Sequence, residues 1–310
     1  MVDSDPCFSI FFGLGAEWPE PLTQDKESEM GRIFVRMSCL MLLGICSVAS
    51  AAPRPRPWAS MLLTGYVDIS PDGSVRDYAM DHPEKIPPAV RGVVKQTVSG
   101  WRFKVKVTGK VIARARMSLR MVAKPLDRMK YSVGVEGVQF ADDSAAPAAT
   151  LYERKTTPPH YPADALSLRT AANVYVVVRI GRDGRVVDAG AEQVNLTTDC
   201  PPMTRAALEN QFANASVRAV RQWTFHVPST GPEANAPYWD ARARVHFDLI
   251  ENGGSVPSHA YGAWQPYLPG ARRTLPWLKS KSMLASAPDA IPDGQPSLLD
   301  GAVQLAQNTK

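Results

Sequence analysis

Cysteine is scarce in this chain, which has four cysteines in 310 residues. Cys7, Cys39 and Cys46 all lie within the first 51 residues, a segment with the features of an export leader, so only Cys200 stays in the remaining chain. One thiol cannot form an internal disulfide, which excludes a disulfide-stapled scaffold. We interpret Cys200 as a small apolar loop residue, with a capped or intermolecular thiol as the alternatives.

Catalytic and metal-binding motifs are also missing. The five histidines are scattered along the sequence and show no H-x-x-x-H spacing. The chain contains neither a G-x-S-x-G elbow nor a phosphate-binding loop. We therefore predict no enzyme activity, no metal and no cofactor. A catalytic triad whose members are far apart in sequence is the alternative.

The charge balance depends on where the mature chain begins. Removing residues 1–51 takes away three of the 35 basic residues and seven of the 30 acidic ones, which leaves 32 against 23 and a net charge of +9. A basic exported protein favours acidic envelope polymers or a membrane surface as partners, whereas the same charge also keeps an ordinary domain soluble. Export argues against nucleic acid as a partner.

The amino-terminal residues resemble a secretory signal. Residues 30–36 form a basic region, residues 37–48 an apolar one, and Ala49-Ser50-Ala51 a small-residue cleavage site. Residues 1–29 carry seven acids and one lysine, so we expect translation to start at Met30. The uncharged run of residues 37–52 is shorter than the ~20 residues needed to span a bilayer. A periplasmic location is therefore predicted, with an uncleaved inner-membrane anchor as the alternative.

Two stretches share one order of features: a strand ending in an Asp-Gly turn, a return strand, an apolar helix, a Trp-x-Phe triplet and an Ala-Arg-Ala-Arg strand. In the first stretch the marked residues are Asp72-Gly73, Trp101, Phe103 and Ala113 to Arg116. In the second they are Asp183-Gly184, Trp223, Phe225 and Ala241 to Arg244. The offset grows from 111 to 128 along the chain, which indicates loop insertions in an internal repeat.

The last strand of each stretch alternates apolar and polar residues. Ala241, Ala243 and Val245 are expected to face a core, and Arg242, Arg244 and His246 to face outwards. The same pattern in the first stretch places Arg114, Arg116 and Arg120 outwards. Such charges keep an exposed strand edge soluble, or they bind a partner.

These patterns divide the chain into five parts. Residues 1–51 are the leader and signal peptide, 60–140 a first unit, 141–150 an Ala-, Ser- and Pro-rich linker, 151–251 a second unit and 252–310 a tail expected to be mostly disordered. The fold class expected is α+β, with two tandem units that each pack a small antiparallel sheet against one or two helices.

The second unit resembles the carboxy-terminal domain of the TonB energy-transducer family. The resemblance rests on Tyr161-Pro162 before a short helix, the Asp183-Gly184 turn, a long helix, Trp223 with Phe225, and the closing strand from Tyr238. It covers about 90 of the 310 residues. The first unit looks like a degenerate copy, because no Tyr-Pro element precedes it. Unlike full energy transducers, this chain has only Pro53 to Pro57 where they carry a long proline-rich spacer.

The resemblance implies recognition of an extended peptide by strand addition, the peptide belonging to an outer-membrane transporter. The strand from Tyr238 to Leu249 is the expected acceptor, and Tyr161, Pro162, Arg242, Arg244 and His246 are the candidate partner-binding residues. Asp183, Gly184, Trp223, Phe225, Trp101 and Phe103 are assigned structural roles as turn or core residues. The alternatives are a membrane-anchored energy transducer and an envelope assembly factor.

Overall fold

The computed structural model describes residues 9–11, 56–104, 113–127, 129–141, 146–231, 233–249, 260–278, 288, 291, 296–299 and 304–305. The predicted signal peptide and start site lie outside these residues. Three α-helices and fourteen strands are present in the described part, so the fold class is α+β, as the sequence predicted.

The strands, in chain order, are β1 (Ser9–Phe11), β2 (Trp58–Ile69), β3 (Val75–Met80), β4 (Phe103–Lys104), β5 (Ala113–Asp127), β6 (Lys130–Ala141), β7 (Tyr152–Lys155), β8 (Ala172–Gly181), β9 (Val186–Leu196), β10 (Thr224–His226), β11 (Tyr238–Phe247), β12 (Gln265–Pro269), β13 (Ser297–Leu298) and β14 (Gln304–Leu305). The helices are α1 (Pro88–Ser99), α2 (Ala163–Ser167) and α3 (Arg205–Val220), with short 3₁₀ turns at Pro83–Lys85 and Pro147–Ala149.

One ten-stranded antiparallel sheet organises the described chain. Its order is β1-β6-β5-β2-β12-β9-β8-β11-β13, and β3 also pairs with β2. Two small sheets join β10 to β7 and β14 to β4. Strand β12 belongs to both halves of the large sheet, because Gln265 to Tyr267 pair with β2 while Leu268 and Pro269 pair with β9.

Each half of the sheet buries one face against a helix. Helix α1 begins after Pro87, and Val90, Val94 and Val98 recur every four residues to form its buried stripe. That stripe packs on the apolar residues of β2 and β5. In the second half, Leu208 and Phe212 of α3 pack on the apolar residues of β8, β9 and β11. The structure therefore has two apolar cores, one under each long helix.

The two Asp-Gly turns have the same geometry. Gly73 has φ +80° and Gly184 φ +75°, a backbone region that favours glycine. The carbonyl of each glycine accepts a 2.8 Å hydrogen bond from the N–H of Phe103 or Phe225, respectively. In each turn the aspartate Oδ1 also accepts a bond from the N–H two residues later, at 2.9 and 3.0 Å. In both hairpins the pairing register shifts at the same place, between the fourth and the third residue before the aspartate.

The face of the sheet opposite the helices is covered in part, contrary to the expected alternation. Ser118, Arg120 and Arg242 are buried on that face, as are Tyr175 and Val177 of β8. The sequence pattern predicts that Arg120 and Arg242 face solvent, and this prediction is wrong.

The covering segment is residues 265–278, which belong to the expected tail. Tyr267 lies beside Arg120, with the guanidinium carbon 5.5 Å from the ring centroid. Leu275 packs so closely over Gly190 that a Cβ there would meet its Cδ2 at 2.4 Å. Trp277 lies against Arg179, whose guanidinium carbon is 4.9 Å from the centroid of the indole. This part of the tail is therefore a structured element of the sheet and its cover, which differs from the expected disorder.

Candidate functional site: the outer edge of strand β11

Among the described residues, strand β11 is paired along its whole length on one side and at two residues on the other. On its inner side all ten residues from Tyr238 to Phe247 pair with β8. On its outer side Ala241 faces Leu298 and Arg242 faces Ser297. Leu299 adds a 3.0 Å hydrogen bond from its N–H to the carbonyl of Asp240. Within the described part of the chain, β13 is the one strand that pairs with this outer edge.

The corresponding edge of β5 is filled by the chain itself. Strand β6 pairs antiparallel with β5 from Arg116 to Asp127, with two register shifts. The Ala-Arg-Ala-Arg tetrads align Arg116 with Arg244, so β6 pairs with β5 from the position equivalent to Arg244 onwards. Among the described strands, the outer edge of β11 carries only β13, at Ala241 and Arg242.

Arg242 is a buried ion-pair residue. Its side chain is 2% exposed, and its Nε and Nη2 donate to the Glu192 carboxylate at 2.7 and 3.2 Å. Arg272 donates to the same carboxylate, from Nε at 2.9 Å and from Nη2 at 2.5 Å. The covering segment, which includes Arg272, lies over the face of the sheet that carries Arg242. Arg242 is therefore buried although its side chain points away from the helices. Arg242 is therefore unavailable to a partner without disruption of this cluster.

Arg244 and His246 remain at the surface of β11. The Arg244 side chain is half-buried, with its guanidinium carbon 6.0 Å from the centroid of the Tyr175 ring. His246 is exposed and lies next to Phe247 at the end of the strand. Of the three predicted β11 residues, His246 has the most exposed side chain.

Tyr161 lies behind the sheet rather than on its edge. Its hydroxyl donates a 2.7 Å hydrogen bond to the carbonyl of Thr170, and its ring meets Phe212 and Phe247 edge to face. Burial, with a smaller effect from the nearby negative charge of Asp248, raises the pKa of Tyr161 to about 12. These contacts place Tyr161 in the packing between α2, α3 and β11.

Pro162 directly precedes α2 in an extended conformation, as the sequence pattern indicated. With His160 and Tyr161 it lines an open groove of about 370 Å³ between α2 and α3, and Gln211 and Arg218 form part of the opposite wall. The groove meets β11 through the Tyr161 ring, which contacts Phe247. Tyr161 and Pro162 therefore adjoin the end of the candidate edge without forming it.

The aromatic residues assigned structural roles lie in the two cores. Trp223 and Phe225 are buried, and the Trp223 indole N–H donates to the carbonyl of Thr157 at 2.9 Å. Phe103 is buried and Trp101 is half-buried, and both rings contact Phe140 of β6 edge to face. The Phe140 contacts fix β6 to the first core.

Sequence reasoning missed Glu192, Arg272 and the Ser297–Leu298 strand. Glu192 lies in a strand that alternates apolar and polar residues, and this pattern predicts that its charged side chain faces solvent. Arg272 and Ser297 lie in a region without apolar periodicity. The sequence feature that indicates this cluster is the pair of arginines in the Ala-Arg-Ala-Arg strand. If that face of the sheet is covered, a buried arginine needs a carboxylate partner.

Cys200 is buried in the second core, and burial raises the pKa of its thiol. Among the described residues no group of three or more His, Cys, Asp and Glu side chains is arranged to hold a metal ion. The described helices include none that is long and apolar enough to span a membrane. Searches against family models, curated proteins and solved structures gave no match to this chain.

Proposed function

We propose that this chain is an envelope protein that binds an extended peptide segment of a partner by adding it as a strand to the outer edge of β11. The observation that carries the proposal is the pairing of β6 along β5, at the edge that corresponds to the outer edge of β11. Strand addition draws affinity from main-chain hydrogen bonds and register from alternate side chains. Among the described strands, β13 alone pairs with the outer side of β11, at Ala241 and Arg242.

The proposal includes two related units of the TonB carboxy-terminal type. The matched Asp-Gly turns, the matched register shifts and the common bond from each Phe N–H to a glycine carbonyl support a common origin for the two units. The sequence resemblance makes a segment of an outer-membrane transporter the proposed partner. The identity of the partner rests on that resemblance alone.

We also propose that one chain binds one peptide. The edge of β5 is covered from Arg116 to Asp127 by β6, whose Phe140 packs into the first core. Displacing β6 would break eleven paired positions and expose Phe140, a cost that a short peptide does not offset. The first unit then serves as a scaffold and the second as the binding unit.

A photo-crosslinker on the edge tests the proposal. The photoreactive residue p-benzoylphenylalanine replaces exposed His246 in the full chain, and the matched control carries it at Val187, an exposed residue of β9. After irradiation of cells that produce each variant, we expect mass spectrometry to find an outer-membrane transporter segment attached at position 246 and not at 187. Equal adducts at both positions, or none at 246, would contradict strand addition at β11.

Cellular location is a separate part of the proposal. We propose export with cleavage after Ala51, giving a soluble periplasmic protein. The intact mass of the purified natural protein tests this, and a chain that begins at Ala52 is expected. A full-length chain that stays in membranes after a high-salt wash would instead support an anchored energy transducer. Normal transporter-dependent uptake in a deletion strain would count against both and favour an envelope assembly factor.

A further inference from the structure

A cluster of basic residues lies where the Asp-Gly turn between β8 and β9 meets the small sheet of β7 and β10. Strand β10 joins the two, because Thr224 pairs with Lys155 of β7 on one side and bridges Arg185 on the other. Directly paired residues of neighbouring strands project to the same face of a sheet. Lys155 and Arg185 therefore flank Thr224 on one face, and both are exposed.

A register shift adds a third basic residue to this face. Between Thr224 and Phe225 the pairing advances by one residue on β10 and by two on β7, so Arg154 is an extra residue. Arg154 and Lys155 lie together opposite Thr224, as two residues do in a β-bulge. Arg154 is also exposed. We call these two residues and Arg185 the cationic face.

The charges of the cationic face are largely uncompensated. Within the described part of the chain, Arg154 and Lys155 make no ion pair. Arg185 has one acidic neighbour, Asp183, with 3.8 Å between Nε and Oδ2 and with side chains that are 79% and 62% exposed. An exposed pair of this kind contributes little. Glu153 projects to the opposite face, because it pairs with a residue of the second core. Three positive charges therefore face water beside one exposed carboxylate.

An aromatic pair lies next to these charges. Tyr152 of β7 pairs with His226 of β10, and their rings stack with centroids 4.4 Å apart and planes 7° apart. Both lie on the face that carries Thr224, two residues before His226. Tyr152 is 42% exposed. An exposed tyrosine beside basic side chains is typical of membrane–water interfaces, where the ring lies among the head groups and the cations meet phosphates.

We propose that the cationic face and Tyr152 form a docking surface for an anionic lipid membrane. Lys155 and Arg185 lie two strand spacings apart, about 10 Å, and side by side on the sheet. This arrangement suits a layer of many phosphates better than one enclosed anion. The inference goes beyond the proposed function and does not depend on it, because β8 and β9 lie between this surface and β11.

The charge of the lipid sets the size of the expected effect. Each basic residue close to an anionic bilayer strengthens binding about fivefold, so three together give roughly 100-fold. The attraction extends over about 10 Å at 0.1 M salt and weakens as the salt concentration rises. Neutral vesicles detect any binding that comes from apolar contacts alone. The inference therefore predicts binding that requires anionic lipid and is lost at high salt.

The test is cosedimentation of the purified full chain with vesicles of phosphatidylcholine, with and without phosphatidylglycerol, at low and at high salt. Three triple variants are compared with the parent. The first, Arg154→Gln with Lys155→Gln and Arg185→Gln, removes the cationic face. The second, Arg154→Lys with Lys155→Arg and Arg185→Lys, keeps its charge. The third is the matched control, Arg76→Gln with Lys85→Gln and Lys95→Gln, which removes three exposed cations from the first half.

We expect the parent, the charge-preserving variant and the matched control to bind the anionic vesicles and to be released by salt. The first variant should bind roughly 100-fold more weakly. Equal weakening in the matched control would show that net charge and not this face is responsible, and would overturn the inference. No binding of the parent to anionic vesicles, with retention on dextran sulfate, would assign the face to a soluble polyanion and also overturn it.

Two further measurements separate the remaining explanations. Inorganic phosphate and chloride are compared as competitors at the same ionic strength, and equal release is expected for a membrane surface. Much stronger release by phosphate would indicate a site for a single anion and contradict membrane docking. Crosslinking from position 246 reports peptide binding and should be unchanged in the first variant. Failure of membrane docking is thereby distinguished from failure of strand addition.

Discussion

Glu192 is predicted to be the single most sensitive charged residue described in this protein. It lies on β9, its carboxylate is 2% exposed, and it accepts hydrogen bonds from Arg242 of β11 and Arg272 of the covering segment. The perturbation is Glu192→Gln, which keeps the size of the side chain and removes its charge. The change removes the negative charge that Glu192 supplies to the buried Arg242 guanidinium.

The magnitude follows from the burial of both partners. Removing one member of a buried ion pair costs about 3–5 kcal/mol, because the remaining charge is left desolvated. In a domain of this size the loss corresponds to a decrease in the melting temperature of roughly 6–20 °C. Arg272 is 31% exposed and can turn to solvent, so most of the cost arises at Arg242. Replacing both partners, by Glu192→Leu with Arg242→Met, should cost less than Glu192→Gln alone.

Thermal and urea unfolding of the full chain, followed by circular dichroism, measure these differences. The matched control is Asp68→Asn, which breaks the ion pair with Arg114, whose side chain is 68% exposed. An exposed pair contributes at most about 1 kcal/mol, so the control should unfold almost as the parent does. If Glu192→Gln is no more destabilising than Asp68→Asn, the buried cluster does not hold the covering segment and our reasoning is refuted.

Four further predictions concern one turn, helix α1, the groove and the thiol. Gly184→Ala should cost at least about 1–2 kcal/mol in unfolding experiments, because φ is +75° and the new Cβ would meet the Phe225 carbonyl at 2.2 Å. Gly92→Ala, in a helix with open space, should stabilise by about 0.5–1 kcal/mol. The pKa of Tyr161 is raised in the folded state, so the stability it contributes is complete below pH ~10 and is lost as the pH rises towards 12. When unfolding is measured against pH, Tyr161→Phe should lose less stability at alkaline pH than the parent. A stability profile identical to that of the parent would contradict the assignment of this loss to Tyr161. Cys200 should react with a thiol reagent only as the chain unfolds, and rapid reaction in the native state would show that it is accessible.

Local sequence signals were sufficient for several elements. The Asp-Gly dipeptides predicted both hairpin turns, because a two-residue turn with positive φ needs glycine. The valine spacing predicted α1, and the Tyr161-Pro162 pair marked the start of α2. In each case the information lies within a few residues, where backbone preference and apolar periodicity decide the outcome.

The candidate site could be predicted only in part, because it depends on contacts between distant segments. The last strand was correctly placed as β11, and His246 is exposed on it. Whether Arg242 faced solvent depended on Arg272, which comes 30 residues later in a stretch without apolar periodicity. A strand of two residues, such as Ser297–Leu298, leaves no periodic signal in the sequence. Long-range cover and very short strands are therefore the features that the sequence does not specify locally.

Amide hydrogen exchange of β11 tests the central claim most directly. The transporter segment identified by crosslinking at position 246 is added as a synthetic peptide to the full chain, and exchange is followed residue by residue from Ala243 to Phe247. We expect those amides that point away from β8 to exchange at least about tenfold more slowly in the complex, because strand addition gives them new partners. Protection confined to the groove between α2 and α3, with β11 unchanged, would contradict strand addition.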